Sequence, residues 1–241
     1  RDGSDSRSLS YSLKARPMIP RVLEPESMES AEDVEEYDAM DHSEVNNRFV
    51  ADFLNAHGPC RGGEVLDVGT GTALIPIALA RADTYARVVG LDLAPAMIER
   101  AERNVAAAEL SDRIRCIQAD AKSVGESLGG SAFEAVISNS IIHHLADPRH
   151  ALAMMVERVS PGGTLMIRDL IRPDSDAEVD ALVERYAAGE SPGARALFHA
   201  SLRAALSLDE IQMYAAEVGL PAACVDKTSD RHWTLIWNRN A

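Results

Sequence analysis

The chain has 241 residues, 46% of them hydrophobic, and a formal net charge of −14. That length suits one α/β domain with a full core, and the acidic balance, with Lys and Arg scattered, offers no basic stripe for a nucleic-acid backbone. No apolar run reaches the roughly 18 residues of a membrane span, and the polar first residues hold no signal-peptide core.

Residues Arg1 to about Ser30 are rich in Ser, Arg, Pro and Glu. They read as a flexible arm, or as a substrate-side flap docked through Pro17, Met18, Ile19, Pro20 and Met28. From there to residue 241 the chain reads as one domain. Ala31 to Met40 reads as a short acidic helix that contains Tyr37 and leads to Asp41 and His42. Ser43 has the chemistry of an N-cap for the next helix. There Val45, Phe49 and Phe53 recur every four residues and make an apolar face. Tyr37 either anchors this packing or faces a ligand.

A short apolar run, Val65 to Val68, reads as a buried parallel strand that stops at Gly69-Thr70-Gly71. Ala73, Leu74, Ile77, Ala78 and Leu79 then begin a helical face, so the unit is strand, glycine turn, helix. Glycine lets a ligand approach the backbone, and a helix N-terminus points unpaired N–H groups into the same space. A nucleotide-like ligand is expected over Gly69 and Gly71. The dinucleotide fingerprint has a third glycine where this chain has Leu74, which counts against NAD.

Ala86 to Asp92 reads as the second strand, with Asp92 at its end, 23 positions past Gly69. An acid at that distance accepts both hydroxyls of a ribose diol. Since NAD and S-adenosylmethionine (SAM) both carry one, Asp92 does not choose between them. Pro95 opens the next helix, whose inner face is Met97, Ile98, Ala101 and Val105. Arg113 to Asp120 is the third strand and Phe133 to Ser138 the fourth. Asn139-Ser140-Ile141-Ile142-His143-His144-Leu145 follows at a strand end, where open α/β sheets bind ligands. A histidine there has the ordinary pKa of a general base. Asp147-Pro148 opens a further helix, and Pro161-Gly162-Gly163 turns into the fifth strand, Thr164 to Leu170, which carries Asp169 flanked by Arg168 and Arg172. These arginines either meet an anionic substrate or pair with acids.

From about Pro173 to Gly219 the chain holds three helical segments, Ser175–Ala188, Gly193–Leu206 and Leu208–Val218, more than one crossover needs. Such an insertion would overhang the site as a lid. His199 reads as a lid surface residue. Pro221 to Lys227 and Trp233 to Trp237 read as the last two strands, with Trp233 in the core. The three cysteines, Cys60, Cys116 and Cys224, show neither disulfide nor metal spacing, which fits a reduced, cytoplasmic protein with no metal.

Val65-Leu66-Asp67-Val68-Gly69-Thr70-Gly71-Thr72 resembles the first motif of class I SAM-dependent methyltransferases. Asp120-Ala121, the Asn139–Leu145 stretch with its His-His-Leu ending, and Pro161-Gly162-Gly163 resemble later motifs of the same group. A Tyr-Asp segment and a helix before the glycine strand are similar to the N-terminal part of ubiquinone/menaquinone-biosynthesis-type methyltransferases. The resemblance covers roughly Ser30 to Asp169 well. It implies a doubly wound seven-stranded, mostly parallel sheet with an antiparallel last strand, the Rossmann-like methyltransferase fold. It implies SAM as cofactor, with S-adenosylhomocysteine as product, and a small-molecule acceptor. Nucleic acid is not the expected partner, and the protein would be a monomer or a homodimer.

The implied cofactor contacts are Tyr37, Asp67, Gly69, Thr70, Gly71, Asp92, Leu93, Met97, Asp120, Ala121, Asn139 and Ser140. Asp67 would lie near the amino group, Leu93 and Met97 would flank the adenine, and Asp120 and Ala121 would bond its edge. Asn139 and Ser140 would touch the methionine part. Candidate bases are His143, His144 and Asp169, in that order.

Overall fold

The computed structural model describes residues 18–24, 31–120 and 128–240. Seven strands form one sheet: β1 Glu64–Val68, β2 Arg87–Asp92, β3 Ile114–Gln118, β4 Phe133–Asn139, β5 Val159–Leu170, β6 Val225–Lys227 and β7 His232–Asn238. Their order is β3-β2-β1-β4-β5-β7-β6. The pairs β1·β2, β1·β4, β2·β3 and β4·β5 are parallel, while β7 runs antiparallel to both β5 and β6. The chain turns back after β6 and inserts β7 beside β5. This is the expected class I methyltransferase architecture.

Burial explains why the inner strands read as continuous apolar runs. Val65 and Leu66 are neighbours on β1 and point to opposite cores, each completely buried. One core packs Val65, Val88, Ala135, Ile137 and Met166 against α2 (Ser43–His57), α3 (Leu74–Ala82) and α4 (Pro95–Ala107). The other packs Leu66, Val89, Val136, Leu165 and Ile167 against α5 (Arg149–Arg158) and against Ile211 and Ala215. Trp233 lies in this second core, fully buried.

Helix α1 (Ala31–Ala39) precedes α2. Ser43 is the first helical residue of α2 rather than its cap; its N–H donates to the Asp41 carboxylate at 2.9 Å. The Asp41 side chain has taken the local acceptor role. After β5 come α6 (Asp176–Ala187), α7 (Pro192–Ala204) and α8 (Leu208–Glu217). Ser175, Ser191 and Ser207 cap these three helices, the last in a full capping box with Glu210. Only α6 and α7 form a separate layer, where Val179, Leu182, Val183 and Leu202 cluster with Leu170. Helix α8 is the crossover to β6, because its Ile211 and Ala215 are completely buried in the main core. The separate insert is therefore a two-helix unit, shorter than the apolar pattern of three helices suggests.

Arg168 and Arg172 pair with acids. Arg168 donates to Asp52 on α2 at 2.7 Å, and Arg172 to Glu210 on α8 at 2.8 Å. Each arginine ties a helix to the end of β5. Among the described residues no helix is long and apolar enough to cross a membrane, and all three cysteines are free thiols.

Phe53 of α2 is completely buried and stacks on His57 with ring centroids 5.2 Å apart. Truncation to Ala should cost about 3–5 kcal/mol of stability, read as a lowered urea midpoint with an unchanged slope.

Candidate active site

The C-terminal ends of β1, β2, β3 and β4 bound an open cleft lined by Val68, Gly69, Leu91, Asp92, Leu93, Ala119, Asp120, Ile141, His144 and Leu145. The glycine turn forms its floor. Gly69 has φ +76°, and a Cβ there would meet Ile141 Cγ2 at 2.1 Å. Packing of Ile141, as well as turn geometry, demands glycine at this position. Gly71, also at positive φ, faces open space, so the close ligand approach expected at both glycines remains available here.

Asp92 is held by two backbone donors, Gly71 N–H to one carboxylate oxygen at 2.9 Å and Ala94 N–H to the other at 3.0 Å. The carboxylate thus joins the glycine turn to the start of α4. Burial raises its pKa, and the N–H groups of Ala94, Gly71 and Leu93 oppose that rise. The carboxylate keeps acceptor capacity beyond these backbone bonds.

Asp67 sits one layer deeper, almost fully buried, and accepts from Thr70 Oγ1 at 2.8 Å. Burial pushes its pKa up to about 7; the Thr70 bond pulls it down and the negative Asp92 adds to the rise. Tyr37 lies on α1 and packs beside Val34, Ala94 and Met97. Its phenol pKa is raised first by burial and then by Asp92, Asp38 and Asp67, which sets the ring beside the acidic wall. Asp38 accepts from Arg100 Nε and Asn104 Nδ2, each at 2.8 Å, and Asn104 also donates to the Thr72 carbonyl at 3.0 Å. That network ties α1, α4 and the glycine turn into one unit.

Leu93 and Asp120 line the cleft as expected, whereas Met97 is buried in the α1·α4 packing and does not line it. The sequence pattern marks both the first helix and the inner face that carries Met97, but not that the one covers the other. Ala121 lies outside the described residues. Ser140 has φ +59°, and its N–H donates to the Arg168 carbonyl at 2.9 Å. Asn139 Nδ2 donates to Ser140 Oγ at 3.1 Å. The two stand at the end of β4, outside the lining of the cleft.

The turn Ile142–His144 is fixed by Asp169. One carboxylate oxygen accepts from Ile142 N–H at 2.6 Å and His143 N–H at 3.1 Å. The other accepts from Leu170 N–H at 2.6 Å and lies 2.6 Å from His143 Nδ1. Four partners occupy the carboxylate, so Asp169 is a positioning residue with no lone pair left for an acceptor. His143 is buried. Burial alone would lower its pKa, but Asp169 and Glu24 outweigh it and raise the value to about 9. With Nδ1 on Asp169 and Nε2 facing Glu24, both ring nitrogens already have partners, so this imidazole is poorly placed to take a proton from an acceptor. His144 faces the cleft and is the better placed of the pair. His199, by contrast, sits 3.7 Å from Asp180 on the outer side of the insert.

Sequence reasoning missed Glu24 and Arg21. Glu24 Oε1 lies 3.3 Å from His143 Nε2. Arg21 donates to the His143 and Leu145 carbonyls at 3.0 and 2.9 Å and, through Nε, to Ala204 at 2.6 Å. Val22 N–H donates to the Arg203 carbonyl at 3.1 Å, and Ile19 packs on the insert. Of the proposed docking residues, Pro17 and Met28 lie outside the described residues, while Ile19 is in place. No periodic pattern marks this stretch, so only its two charges could have hinted at the role.

Residues 66–167 match the family model described as "Methyltransferase domain". An uncharacterized methyltransferase of Mycobacterium tuberculosis is 38% identical over 120 residues, covering 50% of this chain and 57% of that protein. The 27-O-demethylrifamycin SV methyltransferase of Amycolatopsis mediterranei is 28% identical over 172 residues, covering 71% and 59%. The chain thus spans little more than half the length of these curated relatives. Among solved structures, a SAM-dependent methyltransferase from Aquifex aeolicus superposes with a TM-score of 0.63 at 16% identity, covering 87% of this chain and 98% of that one. At that identity the likeness establishes the fold.

Two outcomes test this geometry. Gly69→Ala should destabilise the protein by at least about 2 kcal/mol, and adding Ile141→Ala should recover part of the loss, since it removes the clash but not the positive φ. Urea unfolding of the single and double variants checks this. For Asp67, the folded chain binds the proton more tightly than the unfolded chain does. Its contribution to stability therefore falls as pH rises from the ordinary carboxylate range through about 7 and is flat above. Asp67→Asn should gain stability over wild type at pH 8 and lose that advantage at pH 4. A difference independent of pH would remove the proton from Asp67.

Proposed function

We propose, from the premise that residues 66–167 are a methyltransferase domain, that this chain transfers the methyl group of SAM to a small-molecule acceptor. The observation that carries the reading is the Asp92 carboxylate, pinned by Gly71 N–H and Ala94 N–H at the mouth of the cleft. It offers fixed acceptors for a ribose diol, at the strand end where such folds bind nucleosides. Leu93, Ala119 and Asp120 would take the adenine, with Asp120 accepting from its amino group. Gly69, Thr70, Gly71, Asn139 and Ser140 would hold the methionine part, with Asp67 and Tyr37 beneath and beside it. An Asp67 carboxylate is balanced by the ligand's ammonium, which should draw its pKa back down.

SAM supplies an electrophilic methyl whose departure leaves a neutral sulfide. The chain's task is then alignment and exclusion of water rather than stabilisation of new charge. The α6·α7 insert and residues 18–24, which dock on the turn beside the cleft, would supply the acceptor's walls. An oxygen nucleophile is the first class to test, because one relative is named for methylating an oxygen. Its proton would pass to His144, with His143 holding the turn in place. The protein is proposed to act in the cytoplasm.

Calorimetry should give SAM and S-adenosylhomocysteine binding and no NAD binding, and Asp92→Ala should weaken SAM at least tenfold while keeping the fold. NAD binding without SAM binding would sink the reading. With a methylated product in hand, His144→Ala should lower kcat more than it raises the KM for SAM.

A further inference from the structure

Glu24, His143 and His144 come from two distant stretches of chain, and each places one ligand atom within 4.8 Å of the others. Glu24 Oε1 lies 3.3 Å from His143 Nε2 and 3.4 Å from His144 Nδ1. Ligands bound at about 2.0–2.1 Å in a tetrahedron are roughly 3.3 Å apart, so both separations fit a shared ion. The two imidazole rings stand with centroids 4.1 Å apart, and the His143 side chain is only 4% exposed.

Two further observations point to a cation. Glu24 is about nine-tenths buried, and its Oε1 faces the ring nitrogens of both histidines. A divalent ion there would take the place of the proton that Glu24 and His143 otherwise share. Behind His143, Asp169 receives Nδ1 at 2.6 Å and is itself locked by backbone N–H groups. A carboxylate in that place fixes the tautomer that turns Nε2 outward as a ligand.

We propose that Glu24, His143 and His144 bind one divalent transition ion of zinc-like preference, which clamps residues 18–24 onto the turn before α5. Two imidazoles and one carboxylate suit zinc, iron or cobalt better than magnesium or calcium. Three protein ligands leave a position for an outside oxygen donor, and His144 sets the ion at the edge of the cleft. With the ion present, His144 is a ligand rather than a base. Binding of the ion stands on its own; any part it plays toward the acceptor rests on the methyltransferase reading. The ligands are invisible as a sequence motif because the two histidines are adjacent and the third ligand is more than a hundred residues away.

The test uses tag-free, metal-stripped chain with Zn²⁺ alone and Co²⁺ alone as probes. Calorimetry should give one Zn²⁺ per chain, and Co²⁺ should develop visible d–d absorption that Zn²⁺ abolishes. Zn²⁺ should also slow proteolysis within residues 18–24. Glu24→Gln and His144→Ala should each weaken Zn²⁺ at least a hundredfold, and Asp169→Asn tenfold to a hundredfold. Absence of saturable Zn²⁺ binding and of Co²⁺ bands in folded wild type overturns the proposal, as does binding unchanged in both Glu24→Gln and His144→Ala. Titrating the same preparations with SAM separates the two readings. Zn²⁺ binding without SAM binding leaves the metal site and sinks the methyltransferase reading, and SAM binding without Zn²⁺ binding does the reverse.

Discussion

The buried carboxylate of Asp169 carries more of this architecture than any other group. It stands near the end of β5 and accepts from three backbone N–H groups and one imidazole. A charge that deep is tolerated only when every lone pair has a partner, and here all the partners but Leu170 belong to the turn after β4. The turn is therefore locked to the strand. Ile141, which precedes it, fills the space beside Gly69 that a Cβ would otherwise occupy. His143 reaches on to Glu24 and so to the N-terminal segment. One carboxylate thus sets the cleft wall, the shape of the glycine turn and the landing point of residues 18–24.

A second acidic layer lies across the cleft. Asp92 is stitched to the glycine turn and to α4 by backbone donors, and Asp67 lies beneath it at a raised pKa. Two carboxylates and a tyrosine at close quarters leave the wall in want of positive charge. A cationic ligand such as a sulfonium with an ammonium complements that wall electrostatically. The Asp38–Arg100–Asn104 network holds α1 against the same wall, so the tyrosine is delivered by a helix that is itself anchored through charge-assisted bonds.

The arginines near the site have structural duties. Arg168 and Arg172 spend their charge on Asp52 and Glu210, and Arg21 gives three donors to carbonyls at the turn and at the end of α7. Recognition of an anionic substrate by Arg168 or Arg172 would require breaking these pairs. The cleft is thus walled by Asp92, Asp120, His144 and apolar side chains, while the arginines near it are engaged with acids and carbonyls.

What the sequence determined by itself is what local pattern encodes. Buried strands read as apolar runs, glycine turns as breaks in them, and acids as strand ends, so the sheet and the positions of Gly69–Gly71, Asp92 and Asp120 at its C-terminal edge were legible. The fates of Met97, Asp169, His143 and Arg168 were decided only by tertiary structure. Each depends on a partner far along the chain: helix α1 for Met97, the turn after β4 for Asp169, Glu24 for His143 and Asp52 for Arg168. Periodicity reports which face of an element is buried, not which element covers it. It was equally blind to the split between α8, which closes the core, and α6 and α7, which pack as a separate layer, because both environments demand the same apolar stripe.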